Sequence, residues 1–221
     1  MRTLLLIILF PLLTNATQVK IAVIDTGINL KDLKLSICKN GLIDLTNTGI
    51  QDTHGHGTNI AHIISSHLNP KDYCLYIIKA FVSHTHTRNF SIEALRKARD
   101  LKVNIINYSA GGKGSISDEQ SVVDDLEKLD IVLVAAVGND NKDLSQNCYY
   151  FPACYTNPNV FVVGAIANDK TKLGRSNYGP GIIDFWWYGE NQDYGGYKFT
   201  GTSQATAHIT GIVAKVLHND N

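Results

Sequence analysis

Apolar positions in this chain fall into short unbroken runs separated by stretches in which they recur at helical spacing. The runs are VKIAVI at 19–24, CLYIIKAF at 74–81, VNIINYS at 103–109, IVLVAAVGN at 131–139 and VFVVGAI at 160–166. Each is rich in β-branched residues and does not alternate with polar ones, as a strand covered on both faces requires. Between them, 59–67, 91–101, 118–129 and 203–217 read as helices, the second and third with charges on one face and aliphatics on the other. Strands alternating with helices predict an α/β fold with a mostly parallel, doubly wound sheet flanked by helices. Ligands of such sheets sit outside the carboxyl ends of the strands. Asp25, Ser109 and Asn139 all lie at or just past a predicted strand end, so one cleft can hold all three.

A chain of 221 residues suits one large domain. Twenty basic residues balance twenty acidic ones, which argues against nucleic acid or an anionic membrane surface as a partner. The opening MRTLLLIILFPLLTNATQ has an early cation at Arg2, an apolar run over 4–13 and small residues at Thr14 and Ala16. It reads as a secretory signal peptide over 1–16, followed by a domain over 17–221 in a secreted, extracellular or periplasmic protein. An uncleaved anchor is the alternative reading. Export favours pairing of Cys38, Cys74, Cys148 and Cys154, which permit three connectivities. No CxxC pair suggests a structural zinc site.

Four local signals carry candidate chemistry, and each has a plain structural reading. Asp25 in VIDTGI ends a strand and also fits a turn or cap. DTHGHGTNIAH at 52–62 offers His54, His56 and His62 but lacks the HExxH pattern of zinc proteases. Asn139 follows a buried strand, where it is either a turn residue or a donor to developing negative charge. Ser203 in GTSQATAH suits a helix N-cap or, at the positive end of a helix, a nucleophile. The order Asp25, His56, Ser203 is one of the chain orders known for a serine triad, in which a neutral imidazole takes the hydroxyl proton and a carboxylate holds its tautomer.

With these motifs in order, the sequence resembles the subtilisin-type serine proteases, the subtilase family. VIDTGI is similar to the family's aspartate motif, HGT at 56–58 to its histidine motif, AVGN at 136–139 to its oxyanion motif and GTS at 201–203 to its serine motif. The family's histidine directly precedes Gly-Thr, which selects His56 over His54. The resemblance implies a subtilisin-like three-layer fold and a serine endopeptidase: Asp25 orienting the imidazole, His56 as base and acid, Ser203 forming an acyl-enzyme, and Asn139 in the oxyanion hole. It further implies that Ser109, Ala110 and Gly111 pair with an extended polypeptide substrate, while Ala136, Val137 and Gly138 form the opposite wall of the primary pocket. SNYGP at 176–180 resembles a loop before the family's last strands. No cofactor is required; calcium is possible, although no loop shows its ligand spacing. A monomer is expected, with no membrane association after signal cleavage.

The resemblance also suggests the pairs Cys38–Cys74 and Cys148–Cys154. NCYYFPACY at 147–155 is expected to supply the far end of the primary pocket, with Tyr150 where relatives have a small residue. A shallow pocket for small or medium side chains follows, against a competing role for Asp140 in attracting a basic one. Departures are Gln204 to Ala207 after the serine, which leave a polar Gln204 in need of a partner, and the short distance from the leader to the first strand, which leaves no room for a pro-domain. They motivate a second reading, a subtilase-like protein that binds polypeptide segments without efficient turnover. A third, metal binding through His84 and His86, is weaker.

Overall fold

The structure is a computed structural model and describes residues 18–29, 31, 35–82 and 88–219. The leader over 1–16, His84 and His86 lie outside the described residues. In chain order the elements are β1 (Val19–Asp25), β2 (Ile37–Asp44), α1 (His56–Ser65), β3 (Tyr73–Lys79), α2 (Arg88–Asp100), β4 (Ile105–Tyr108), β5 (Gly112–Lys113), α3 (Ser117–Lys128), β6 (Val132–Ala136), β7 (Tyr150–Phe151), β8 (Val160–Ile166), β9 (Phe185–Tyr188), β10 (Gln192–Tyr194), β11 (Tyr197–Phe199) and α4 (Thr202–Asn219).

Seven strands form one sheet in the order β2-β3-β1-β4-β6-β8-β9, and every neighbouring pair is parallel. The unbroken apolar runs feed both faces. Ile21 and Val23 join a cluster with Ile60, Ile63 and Ile64 of α1 and Ala205 and Ala207 of α4. Ala22 and Ile24 join the opposite cluster with Ala94 and Leu95 of α2 and Val122 and Leu126 of α3. Full burial of one such Ile or Leu contributes about 1.5–3 kcal/mol, so these two layers hold the sheet between them. Chain progression reverses at β1: β2 and β3 lie to one side and β4 onward to the other. The crevice between the ends of β1 and β4 is therefore the place where a doubly wound sheet takes its ligand.

The predicted elements and the observed ones differ at the edges. α1 begins at His56 rather than 59, because the turn before it is capped through tertiary contacts described below. β2 has no apolar run; it is an edge strand with exposed positions and a register shift between Ile37 and Leu42. The Cys38–Cys74 disulfide ties it to β3, and Cys148–Cys154 closes a short loop. β9 forms the other edge, with Phe185 and Trp186 partly exposed. β10 and β11 are a hairpin through Gly195 and Gly196 that packs on α1, where Asn59 Nδ2 donates to the carbonyls of Gln192, Tyr194 and Tyr197.

Beneath that hairpin runs a chain of polar side chains. His208 Nε2 lies 2.9 Å from Gln192 Oε1, and His208 Nδ1 lies 2.8 Å from His67 Nε2. Gln192 Nε2 donates to Glu190 O, so its Oε1 is the acceptor for His208. His208 then donates at Nε2 and accepts at Nδ1 from His67. Burial and the neighbouring His67 push His208 down to about 4, and burial and Lys215 lower His67.

Both folded-state values lie below the unfolded one near 6.5, so protonation favours the unfolded chain. Stability from this pair is present above pH 6.5 and is lost as pH falls toward 4, by on the order of 3 kcal/mol for His208. Urea denaturation at pH 7.5 and 4.5 is expected to show a smaller loss of stability on acidification in His208→Gln than in the wild type.

Candidate active site

Asp25 is the last residue of β1 and is 2% exposed. Its Oδ1 accepts from the Thr26 amide, and its two oxygens lie 2.8 and 3.0 Å from His56 Nδ1. An ionised carboxylate only accepts, so Nδ1 carries the proton and Nε2 is left as the acceptor. This contact needs α1 to start close against the end of β1. Gly57 permits it: a Cβ there would lie 2.4 Å from the Gly27 carbonyl oxygen and 3.2 Å from Asp25 Cβ.

A second buried carboxylate sets the turn. Asp52 Oδ1 accepts from Thr26 Oγ1 and the amides of His54 and Gly55, while Oδ2 accepts from the amide and hydroxyl of Thr58. Burial raises its carboxyl, but these hydrogen bonds outweigh burial and hold it below the usual range. One side chain thus takes the Thr58 amide in the first turn of α1 and two amides of the turn before it, and links them to Thr26, whose hydroxyl accepts from the Gly57 amide.

Burial pushes the His56 imidazole down, and the charge and hydrogen bond of Asp25, with the charge of Asp52, more than reverse this. The resulting pKa is raised above 6.5. Phe199 of β11 stands edge-on to the His56 ring at 5.3 Å and stacks on His54 at 5.7 Å. His54 is therefore a neighbour of the site, turned to Phe199.

Ser203 is the second residue of α4 and is 8% exposed. Its hydroxyl donates to the Ser109 carbonyl at 3.2 Å, and Ser109 Oγ donates to the Ser203 carbonyl at 3.2 Å. Asn107 Nδ2 in turn donates to Ser109 Oγ. The Ser203 hydroxyl is thus held by the segment after β4 and is not hydrogen-bonded to His56. Asn139 Oδ1 accepts from the Thr202 amide at 3.0 Å, which caps the start of α4 and leaves Nδ2 for the cleft. Asn177 supports this loop: it is fully buried, its Nδ2 donates to Val137 O, and its Oδ1 accepts from the amides of Asp140 and Lys142.

A cavity of about 270 Å³ gathers Asp25, His56, Ser109, Ala110, Gly111, Asn139, Tyr150 and Ser203 along its wall. The structure does not bring Ala136, Val137 and Gly138 into it. Ala136 and Val137 are packed inside the fold, and Gly138 lies behind Tyr150 and Asn177, whose atoms stand 2.6–3.0 Å from the position of a Cβ there. Asp140 is exposed and outside the cavity wall. Gln204 is 1% exposed, and its amide finds a partner in Asn59 Oδ1 at 3.2 Å. Asp52, Asn59 and Asn177 are the positioning residues that motif reading misses. Asp52 alone left a local signal, an acidic residue just before a glycine turn into a helix.

A family model described as Peptidase_S8, Subtilase family, matches residues 16–221. Subtilisin DY of Bacillus licheniformis is 28% identical over 218 residues, covering 92% of this chain and 78% of the relative. Subtilisin-like protease 2 of Trichophyton tonsurans is 32% identical over 219 residues, covering 90% of this chain and 50% of the relative, so the chain spans about half that fungal protein's length. Among solved structures, a cold adapted subtilisin-like serine proteinase superposes with a TM-score of 0.78 at 24% identity, covering 94% of this chain and 78% of that one. A lanthipeptide protease superposes with a TM-score of 0.79 at 22% identity, covering 91% and 73%. These two likenesses show the fold.

Removing Asp52 takes away the acceptor of the buried Gly55 and Thr58 amides, at a cost of about 1–3 kcal/mol each. Asp52→Ala is expected to lose about 3 kcal/mol of stability by chemical denaturation, whereas Asp52→Asn, which keeps an acceptor oxygen, loses less.

Proposed function

The chain belongs to the subtilase family, and from that premise we propose that it is a secreted serine endopeptidase working through Asp25, His56 and Ser203. The observation that carries this reading is the Asp25–His56 hydrogen bond at 2.8 Å in the same cleft as Ser203 and Asn139. An extended polypeptide lies along 109–111 and pairs with it through main-chain hydrogen bonds. The Ser203 hydroxyl leaves the Ser109 carbonyl and turns to His56 Nε2, which takes its proton as the oxygen attacks the substrate carbonyl carbon. Negative charge then develops on the carbonyl oxygen. Asn139 Nδ2 and the Ser203 amide at the positive end of α4 meet it. The imidazolium, stabilised by Asp25, returns the proton to the leaving amine, and water hydrolyses the acyl-enzyme by the same steps in reverse roles.

Family membership supports peptide hydrolysis, and the signal-like leader supports secretion. The buried Gln204–Asn59 pair removes one reason to expect impaired turnover, since the polar side chain beside the nucleophile is satisfied. A binding protein without turnover is the second reading, favoured by one observation: the Ser203 hydroxyl is bonded to Ser109 O.

A fluorophosphonate probe separates the two. Labelling of the wild type, abolished in Ser203→Ala and His56→Ala and reduced about 10²–10³-fold in rate in Asn139→Ala, is the expected result. Well-folded protein that takes no label supports the binder. The raised His56 pKa fixes the pH profile: activity needs the neutral ring, so kcat/KM should fall on the acid side with a midpoint above 6.5. In Asp25→Asn the residual activity should show that midpoint moved to lower pH.

A further inference from the structure

Tyr150 lies in the cleft with Ser203 and Asn139, and no step of the proposed mechanism uses it. Its backbone is fixed from three directions. Tyr150 pairs with Lys113, and Phe151 with Gly112, in the short β5–β7 ladder beside the substrate-pairing segment. Cys148 and Cys154 close the loop around it, and the Tyr150 amide points to Cys154 Sγ at 3.2 Å.

The ring fills the space between the two segments that flank the nucleophile. A Cβ on Gly111 would lie 2.3 Å from Tyr150 Cε1, and one on Gly138 would lie 2.9 Å from Cζ. Tyr150 therefore lies against the backbone of both glycines, one on the strand-pairing side and one next to Asn139. A substrate laid along 109–111, its carbonyl at Ser203 and its oxygen at Asn139, directs the side chain on the acyl side of the scissile bond into this space. Little of that space is left. The phenol is pushed up to about 12 by burial and by Asp140, so at neutral pH it presents no charge to attract a cation. Asp140 is exposed and outside the cavity wall.

We propose that Tyr150 stoppers the primary side-chain pocket and restricts cleavage to bonds that follow Gly, Ala or Ser. This rests on the endopeptidase reading, because it assigns the space next to Ser203 to the acyl-side residue. Tyr150 is a specificity-determining residue, and the disulfide loop keeps it in place.

Binding and turnover test the two readings separately. In a Ser203→Ala background, where no turnover occurs, calorimetry would compare N-acetylated tetrapeptides that differ only in a terminal Ala, Phe or Arg. The Ala peptide is expected to bind at least ~10-fold more tightly than the other two. Adding Tyr150→Gly should reverse the order of Ala and Phe, while Tyr150→Phe, which keeps the ring, should preserve it. With Ser203 intact, the corresponding peptide amides should show the same order in kcat/KM, with ~10²-fold discrimination. Phe or Arg peptides binding as well as the Ala peptide would overturn the proposal, as would undetectable binding of all three or an unchanged order in a folded Tyr150→Gly protein. Loss of fluorophosphonate labelling, with the Ala preference in binding intact, would instead count against the endopeptidase reading alone.

Discussion

A sheet covered by helices on both faces has no room for charged side chains except at the ends of its strands, and the site of this protein follows from that constraint. Asp25 closes β1, Lys79 closes β3, Ser109 follows β4 and Asn139 lies beyond β6. All leave the apolar layers at the same edge of the sheet. Lys79 shows how strictly the rule applies: it is 2% exposed, and its ammonium is spent on the carbonyls of Gly49 and Gln51, the loop leading into Asp52. Asp25 and Lys79 each have polar partners there, and the chain segments supplying those partners lie around the cleft.

Several residues serve the fold and the chemistry through different atoms. Asn139 caps α4 with its oxygen and keeps its amide nitrogen for the cleft. Asp52 caps α1 and adds negative charge near His56. Buried polar groups are costly unless satisfied, so each of these networks holds its members in one arrangement. The same logic covers Gln204 and Asn59. Where a residue after the nucleophile is polar and buried, a second polar residue on α1 meets it, and that residue also ties down the β10–β11 hairpin. The hairpin brings Phe199 against His56.

The strand runs, the helices between them, the parallel architecture and the family were legible along the chain, because a doubly covered sheet writes its strands as continuous apolar segments and because four motifs stand in order. The exposed edge strands were not legible. β2 is stabilised by a disulfide and by its neighbour β3, so it needs no apolar run of its own, while β9 is a four-residue aromatic segment, shorter than the runs that mark the buried strands. α1 was read three residues short, since its true start at His56 depends on a carboxylate acting across a turn.

Residue types and their spacing determined which groups are available for chemistry: Asp25, His56, Asn139 and Ser203 were all named by their motifs. Tertiary structure alone decided how those groups are held. The Nδ1 proton of His56 follows from its distance to Asp25, and the present hydrogen bond of Ser203 follows from the place of Ser109. In the cavity wall Tyr150 stands where 136–138 were expected, because a side chain brought from a disulfide loop lies over Gly138. Distances between segments far apart in sequence are set by packing, and motif spacing carries no record of them.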